Sequence, residues 1–184
     1  MLKKEWYSVM LPKSFGGEEI AEVMATDDKT LMGRRVEAGL NEISKDMSRF
    51  YIKLVFRIDK VEKGKVFTRF DGHRCLREYI SHIVRSRVTR VDNNLVVETK
   101  DKRKIRVKGL LLFSRNVNRP LKSKAIKIMN KIFQDSAAKN DFDDFVKLMV
   151  FGELAEEMRK QCGKIYPVSK AEIRKSEVFF PEIQ

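Results

Sequence analysis

Five side chains in the 184-residue sequence have the chemistry from which catalytic or metal sites are built. Asp71, His73 and Cys75 stand in the run Phe70-Asp71-Gly72-His73-Arg74-Cys75, with His82 and Cys162 further on. Asp71 and His73 could serve a nuclease acting on RNA, yet polar residues in a turn before a helix are more often a cap. His73, Cys75, His82 and Cys162 could be imagined around zinc. Structural zinc sites draw ligand pairs two to five residues apart, and this spacing fits no common pattern. No glycine-rich phosphate loop, HExxH, GxSxG or paired CxxC occurs in the sequence. No catalytic residue, metal or cofactor is therefore expected. The two cysteines read as buried thiols rather than a disulfide.

The second chemistry available is neutralisation of phosphate. The chain holds 39 Lys and Arg against 26 Asp and Glu, a net +13. Residues 85–131 hold 15 of the basic groups and only three acids, Asp92, Glu98 and Asp101, for a net +12. The other 137 residues carry 24 basic and 23 acidic groups. A mixed-sign run would be an ordinary solvated face. A run of nearly one sign repels itself and calls for a polyanion against it. Arg85, Arg87, Arg90, Lys102, Arg103, Lys104, Arg106, Lys108, Arg115, Arg119, Lys122, Lys124 and Lys127 are the candidate RNA contacts in this segment. Arg34, Arg174 and the group Lys3, Lys4, Trp6 and Tyr7 come next, the aromatics as stacking platforms beside cations. A terminal strand with Trp6 tucked into the core is the alternative for that group. No apolar run approaches the roughly 20 residues that span a bilayer. The opening MLKKEWYSVM has no apolar core of the signal-peptide kind, so a cytoplasmic location and no membrane partner are expected.

The elements that must position these cations can be read from periodicity. Residues 1–17, with Pro12, Gly16 and Gly17, read as an extended arm, and 18–184 as a single α+β RNA-binding domain. Residues 19–26 and 34–40 read as strands on either side of a polar turn at Asp27-Asp28-Lys29. Residues 50–61 and 65–70 around Glu62-Lys63-Gly64 give a hairpin signal. Residues 94–100 and 103–113 flank another turn, and period two places Arg106 and Lys108 on one face and Ile105 and Val107 on the other. Leu76, Tyr79, Ile80, Ile83 and Val84 recur as one helical stripe. A helix from near Leu121 puts Leu121, Ala125, Ile128, Met129 and Ile132 on one side and Lys124, Lys127 and Lys131 on the other. A further helical stretch follows Asn140, broken at Gly152 and ending at Gly163, and 165–168 and 171–180 read as extended. Many short strands with segregated helices make the expected class α+β: an antiparallel β-barrel-like core with several helices packed against it.

The sequence also resembles a known family nearly end to end. Lys3-Lys4-Glu5-Trp6-Tyr7, followed by Pro12 and Phe15, is similar to the opening of the small-subunit ribosomal protein family S-three-A-e, also designated S-one-e, of archaea and eukaryotes. Leu31-Met32-Gly33-Arg34-Arg35-Val36-Glu37-Ala38-Gly39-Leu40 resembles its L-x-G-R-[IV]-x-E-x-S-L signature. Phe70-Asp71-Gly72, Arg77-Glu78-Tyr79-Ile80, Cys162-Gly163-Lys164-Ile165-Tyr166-Pro167 and Glu172-Ile173-Arg174-Lys175 match in order. The chain departs from the pattern at Arg35, at Gly39 and over Ser114–Pro120, and its length resembles the archaeal members.

The resemblance implies a structural constituent of the small ribosomal subunit on its platform, near the mRNA exit and the 3′ end of the rRNA. Its implied partners are small-subunit rRNA, neighbouring ribosomal proteins and mRNA at the exit. An RNA-processing nuclease centred on Asp71 and His73, and a free-standing protein adaptor using the 141–161 helices, are the alternatives.

Overall fold

In the computed structural model, residues 4–44 and 47–179 are described, and the chain forms two compact units, Met1–Arg74 and Cys75–Gln184.

The first unit is a twisted sheet of β1 (Glu5–Met10), β2 (Glu19–Ala25), β3 (Arg35–Gly39), β4 (Ile52–Glu62) and β5 (Lys65–Cys75). β1 runs antiparallel to β2, with Trp6 opposite Met24, and parallel to β5, with Ser8 opposite Lys65. β4 pairs with both β5 and β3, giving the order β2-β1-β5-β4-β3. The stretch expected as an arm thus contributes β1 to this sheet. Strict alternation in β4 buries Ile52, Leu54, Phe56 and Ile58 and leaves Lys53 and Arg57 on the other face. The β4–β5 connection is a two-residue turn with both residues left-handed, Lys63 at φ 47° and Gly64 at φ 78°, which suits the twist of the strands it joins. Phe15, Phe56 and Phe70 fill the core, with ring centroids 5.7–6.2 Å apart. The polar turn at Asp27 becomes a short helix, α1 (Asp28–Leu31), and α2 (Leu40–Ser44) follows β3.

The second unit contains α3 (Arg77–Ile83), β6 (Thr89–Glu98), β7 (Lys104–Phe113), α4 (Arg119–Lys139), α5 (Phe142–Val150), α6 (Glu153–Gly163) and β8 (Val168–Phe179). β7 is central and antiparallel to both β6 and β8. As expected from its period, β7 buries Ile105 and Val107 and turns Arg106 and Lys108 to the other face. α4 lies against the buried face. A Cβ added at Gly109 would come within 3.0 Å of the Phe133 ring, so glycine is what lets helix and strand approach this closely. Asn93 of β6 donates to Asn130 Oδ1 of α4 at 2.8 Å, which satisfies a polar side chain on that face. Gly152, at φ 77°, supplies the left-handed turn between α5 and α6.

The α+β class is as expected, but barrel closure is not found. Among the described residues β2, β3 and β6 each have a strand neighbour on one side only, so the strands do not close into a barrel. One contact in the first unit is also parallel rather than antiparallel. Alternating apolar and polar residues serve an open sheet and a barrel equally; which strands meet at the ends is decided by pairing that leaves no periodic trace. Among the described residues no helix is long and apolar enough to cross a membrane.

Candidate nucleic-acid interface

The basic residues of 85–131 do not form one patch. The β6–β7 hairpin, ten residues long in each strand, carries them to two ends about 30 Å apart.

At the first end lie Arg85 and Arg87, just before β6, and Arg115, Arg119 and Lys122, just after β7. The pairing of Thr89 with Phe113 brings the two chain segments together. The buried Thr89 hydroxyl then fixes them: it accepts from the Val117 N–H at 3.0 Å and donates to Asn116 Oδ1 at 3.2 Å. α4 starts here with Arg119 and Pro120, has no acid in its first turn, and takes no side-chain cap bond at Asn118. Its free N–H groups and the positive end of its dipole therefore add to the cations, an arrangement that favours an anion.

At the second end Lys102 and Arg103 lie in the turn and Lys104 opens β7. The turn is stapled down by Asp101, which accepts from the Phe142 N–H at 3.1 Å and so caps α5, and by the Lys100 N–H on the Asn140 carbonyl at 3.4 Å. The Arg103 guanidinium sits 5.0 Å above the Phe142 ring. Arg87 at φ 66° and Lys102 at φ 59° are both left-handed, one at each end, where glycine would be less strained.

α4 connects the ends. Its 21 residues span about 30 Å, and Lys124, Lys127 and Lys131 form an exposed ridge opposite the buried Ala125, Met129, Ile132 and Phe133. Lys131 was outside the candidate set, although its four-residue spacing from Lys127 marks it. Among the described residues, none of Arg85, Arg87, Lys102, Arg103, Lys104, Arg115, Arg119, Lys122, Lys124, Lys127 and Lys131 forms an ion pair with a carboxylate.

The sheet cations differ. Arg90 grips Asp92 with two bonds of 2.7 and 2.9 Å, and Arg174 reaches the same carboxylate at 3.8 Å. Glu177 takes Lys175 at 2.5 Å, Arg106 at 3.3 Å and Lys108 at 3.5 Å. The Lys175 ammonium, with Lys108 behind it, holds the Glu177 carboxyl below the usual range. Five cations share two carboxylates, so this face is partly neutralised and stays positive.

In the first unit Lys4 and Trp6 are exposed, Trp6 at 63 %. Tyr7 points the other way: it is buried and its hydroxyl donates to Asp28 at 2.8 Å, because neighbours on a strand face opposite sides. Arg34 is exposed at the entry to β3, and Lys3 lies outside the described residues.

Of the five groups considered for catalysis or metal binding, His82 is exposed on α3 and the other four are buried. Asp71 and His73 lie within β5 rather than in a turn, and both are buried. Asp71 accepts from Arg35 Nε at 2.6 Å. Cys75 and Cys162 are free and buried; desolvation, helped by Glu172, pushes the Cys75 thiol up to about 12, and desolvation pushes Cys162 up to about 11. Neither is an activated nucleophile. Among the described residues no group of three or more His, Cys, Asp or Glu could hold a metal ion.

Comparison with known proteins follows the same line. The model of the ribosomal S3Ae family matches residues 1–181. The chain is 37 % identical over 176 residues to the small ribosomal subunit protein eS1 of Methanobrevibacter smithii, covering 96 % of this chain and 91 % of that one. It is 38 % identical over 175 residues to the protein of the same name from Saccharolobus solfataricus, covering 95 % and 84 %.

Proposed function

The chain belongs to the ribosomal S3Ae family, and from that premise we propose that its two clusters of unpaired cations hold two stretches of small-subunit rRNA backbone. The protein is a structural constituent of the small ribosomal subunit in the cytoplasm rather than an enzyme. Its partners are rRNA and neighbouring ribosomal proteins, with a place on the platform and contact to mRNA at the exit as the finer expectation from the family.

The observation that carries the reading is the division of the cations by the β6–β7 hairpin. Those on the sheet face have acid partners in Asp92 and Glu177. Those at the two ends and on the α4 ridge have none among the described residues, and a helix N-terminus without acid or side-chain cap lies among them. Cations left unpaired on a folded body repel one another, and phosphate removes that repulsion. Shape rather than base sequence would provide specificity, since side chains cannot read the deep groove of an RNA helix. Arg85, Arg87, Arg115, Arg119 and Lys122 at one end, Lys102, Arg103 and Lys104 at the other, and Lys124, Lys127 and Lys131 between them are the proposed phosphate contacts. Arg90, Arg106, Lys108 and Arg174 contribute less, and Trp6 beside Lys4 offers a stacking face. The nuclease reading loses ground because Asp71 is engaged by Arg35 and both Asp71 and His73 are buried.

Binding of transcribed small-subunit rRNA, followed from 50 to 200 mM salt, tests this. With six to ten phosphate contacts affinity falls by about 10³–10⁵ over that range. Alanine at Arg85, Arg87, Arg115 and Arg119 together, and separately at Lys102, Arg103 and Lys104, should each flatten the salt dependence, while R90A/R106A/K108A should change it less. A wild-type affinity indifferent to salt overturns the proposal.

A further inference from the structure

In the first unit two arginines that lie far apart in sequence face each other across the β3–β4 ladder: Arg35 is the direct cross-strand partner of Arg57. Directly opposed residues have Cβ atoms about 5 Å apart, and like charges so placed repel. The nearest carboxylates do not cancel the pair. Glu37 is held by Arg74 at 2.6 Å, and Asp59 lies 3.3 Å from Arg69. Among the described residues Asp71 is ion-paired with Arg35 alone, at 2.6 Å; it is buried, whereas the Arg35 side chain is 66 % exposed. Arg57 has no ion pair among the described residues, and the exposed Arg34 adds a third cation at the strand entry.

The Arg57 guanidinium lies against the turn at Gly33. Gly33, at φ 78°, sits where a Cβ would lie 3.7 Å from Arg57 Nη2 and 3.8 Å from Nε, so the guanidinium passes directly over the turn. That turn is locked to β4 by the Gly33 N–H on the Ile58 carbonyl at 3.0 Å and the Ile58 N–H on the Arg34 carbonyl at 2.9 Å. Arg57 is therefore half-buried, with its guanidinium against the Gly33 turn and unpaired among the described residues, across the ladder from an Arg35 aligned by a buried carboxylate. A planar fork of donors from each of two neighbouring guanidinium groups matches the oxygens of one phosphate.

We propose that Arg35 and Arg57, with Arg34 beside them, form an anion site in the first unit that takes a phosphate of the RNA backbone. The inference rests on the RNA-binding reading for its ligand, but apart from Arg34 it uses none of the candidate RNA contacts and none of the hairpin-end or α4 cations.

The full-length chain is compared with R57Q, R57K and R35Q. Two readouts are needed: the slope of log affinity for rRNA against log salt, and the melting temperature with and without inorganic phosphate. A phosphate contact at this site lowers the steepness of the slope by about 0.7–0.9 in R57Q and in R35Q, and R57K restores most of it. Inorganic phosphate at tens of millimolar raises the melting temperature of the wild type more than that of R57Q. An unchanged slope in R57Q, in a wild-type chain that does bind with strong salt dependence, overturns this site and leaves the hairpin reading standing. Loss of salt dependence in the wild type itself overturns the RNA reading instead. A shift in melting temperature with phosphate but no change in slope identifies the pair as a site for small anions and also overturns the RNA phosphate as its ligand.

Discussion

The Val117 N–H donates to the hydroxyl of Thr89 across 3.0 Å, and this bond ties the loop after β7 to the start of β6. Thr89 is buried and also donates to Asn116. Replacing Thr89 by Val keeps its shape and removes the acceptor, leaving a buried N–H without a partner. That costs about 1–3 kcal/mol. T89V should therefore unfold at lower urea with an unchanged m-value, and T89S should recover most of the loss. The same variant should bind rRNA more weakly, since Arg85 and Arg87 are no longer held against Arg115 and Arg119. A T89V chain as stable as the wild type would mean that the two loops are joined by something other than this hydroxyl.

Arg87 and Lys102 occupy the left-handed region at opposite ends of one hairpin. A non-glycine residue there is strained by roughly 1–2 kcal/mol, and glycine relieves it while raising the entropy of the unfolded chain by roughly 0.5–1 kcal/mol. R87G and K102G should thus leave stability within about 1 kcal/mol of the wild type. Each should nevertheless weaken rRNA binding at 0.2 M salt, because a phosphate contact goes with the side chain. Unfolding curves and filter binding on the same preparations check this. Variants that keep full affinity would show that the backbone alone required those positions.

Much of the interface was legible in the sequence. The alternation through Ile105, Arg106, Val107 and Lys108 gives the faces of β7 correctly, and the three- and four-residue spacing of Lys124, Lys127 and Lys131 gives the ridge of α4. What stayed hidden depends on register between distant segments. Asp92 lies on the same face as Leu110 and Glu172, and Glu177 lies opposite Arg106, only through the β6–β7–β8 ladder. The partial neutralisation of Arg106 and Lys108 follows from that ladder, whereas the Arg90–Asp92 pair, two residues apart on one strand face, is local. Tyr7 and Trp6 share a composition signal, and strand parity alone sends one inward and the other outward. The strands before and after Asp27 resemble a hairpin, yet β2 pairs with β1 and β3 with β4. Asp71 and His73 read from sequence as polar residues in a turn before a helix, whereas the strand β5 continues through Gly72 to Cys75.

Gly109 of β7 faces Phe133 and Met129 of α4 at close range. A methyl group there would meet the Phe133 ring at 3.0–3.3 Å and the Met129 methyl at 3.1 Å. Met129 can move its tip, but Phe133 is fully buried and has little room. G109A should destabilise the chain by about 1–3 kcal/mol, as overpacked cores generally do. The double variant G109A/F133L should recover part of that loss, and chemical denaturation of the four chains of this cycle measures the coupling. Additive effects would place the strain somewhere other than this contact.

Cys75 and Cys162 give the fold a pH dependence with a definite sign. Burial pushes both thiols up, to about 12 and about 11, from an ordinary value of 9.0. A group whose pKa is raised by folding contributes stability in full below its unfolded pKa. As pH rises past about 9 the unfolded chain loses these protons and the folded chain keeps them, so stability declines until the folded values are reached. C75A/C162A should therefore show a shallower alkaline decline than the wild type between pH 9 and 11, even if it is less stable at pH 7 because of the space left behind. The same burial predicts that iodoacetamide at pH 8 labels neither cysteine in the native chain and both in urea, as mass spectrometry would read out. Labelling of native Cys75 at a rate close to that of a free thiol would contradict the packing that sets its pKa, including its 3.4 Å contact with the Ile173 carbonyl.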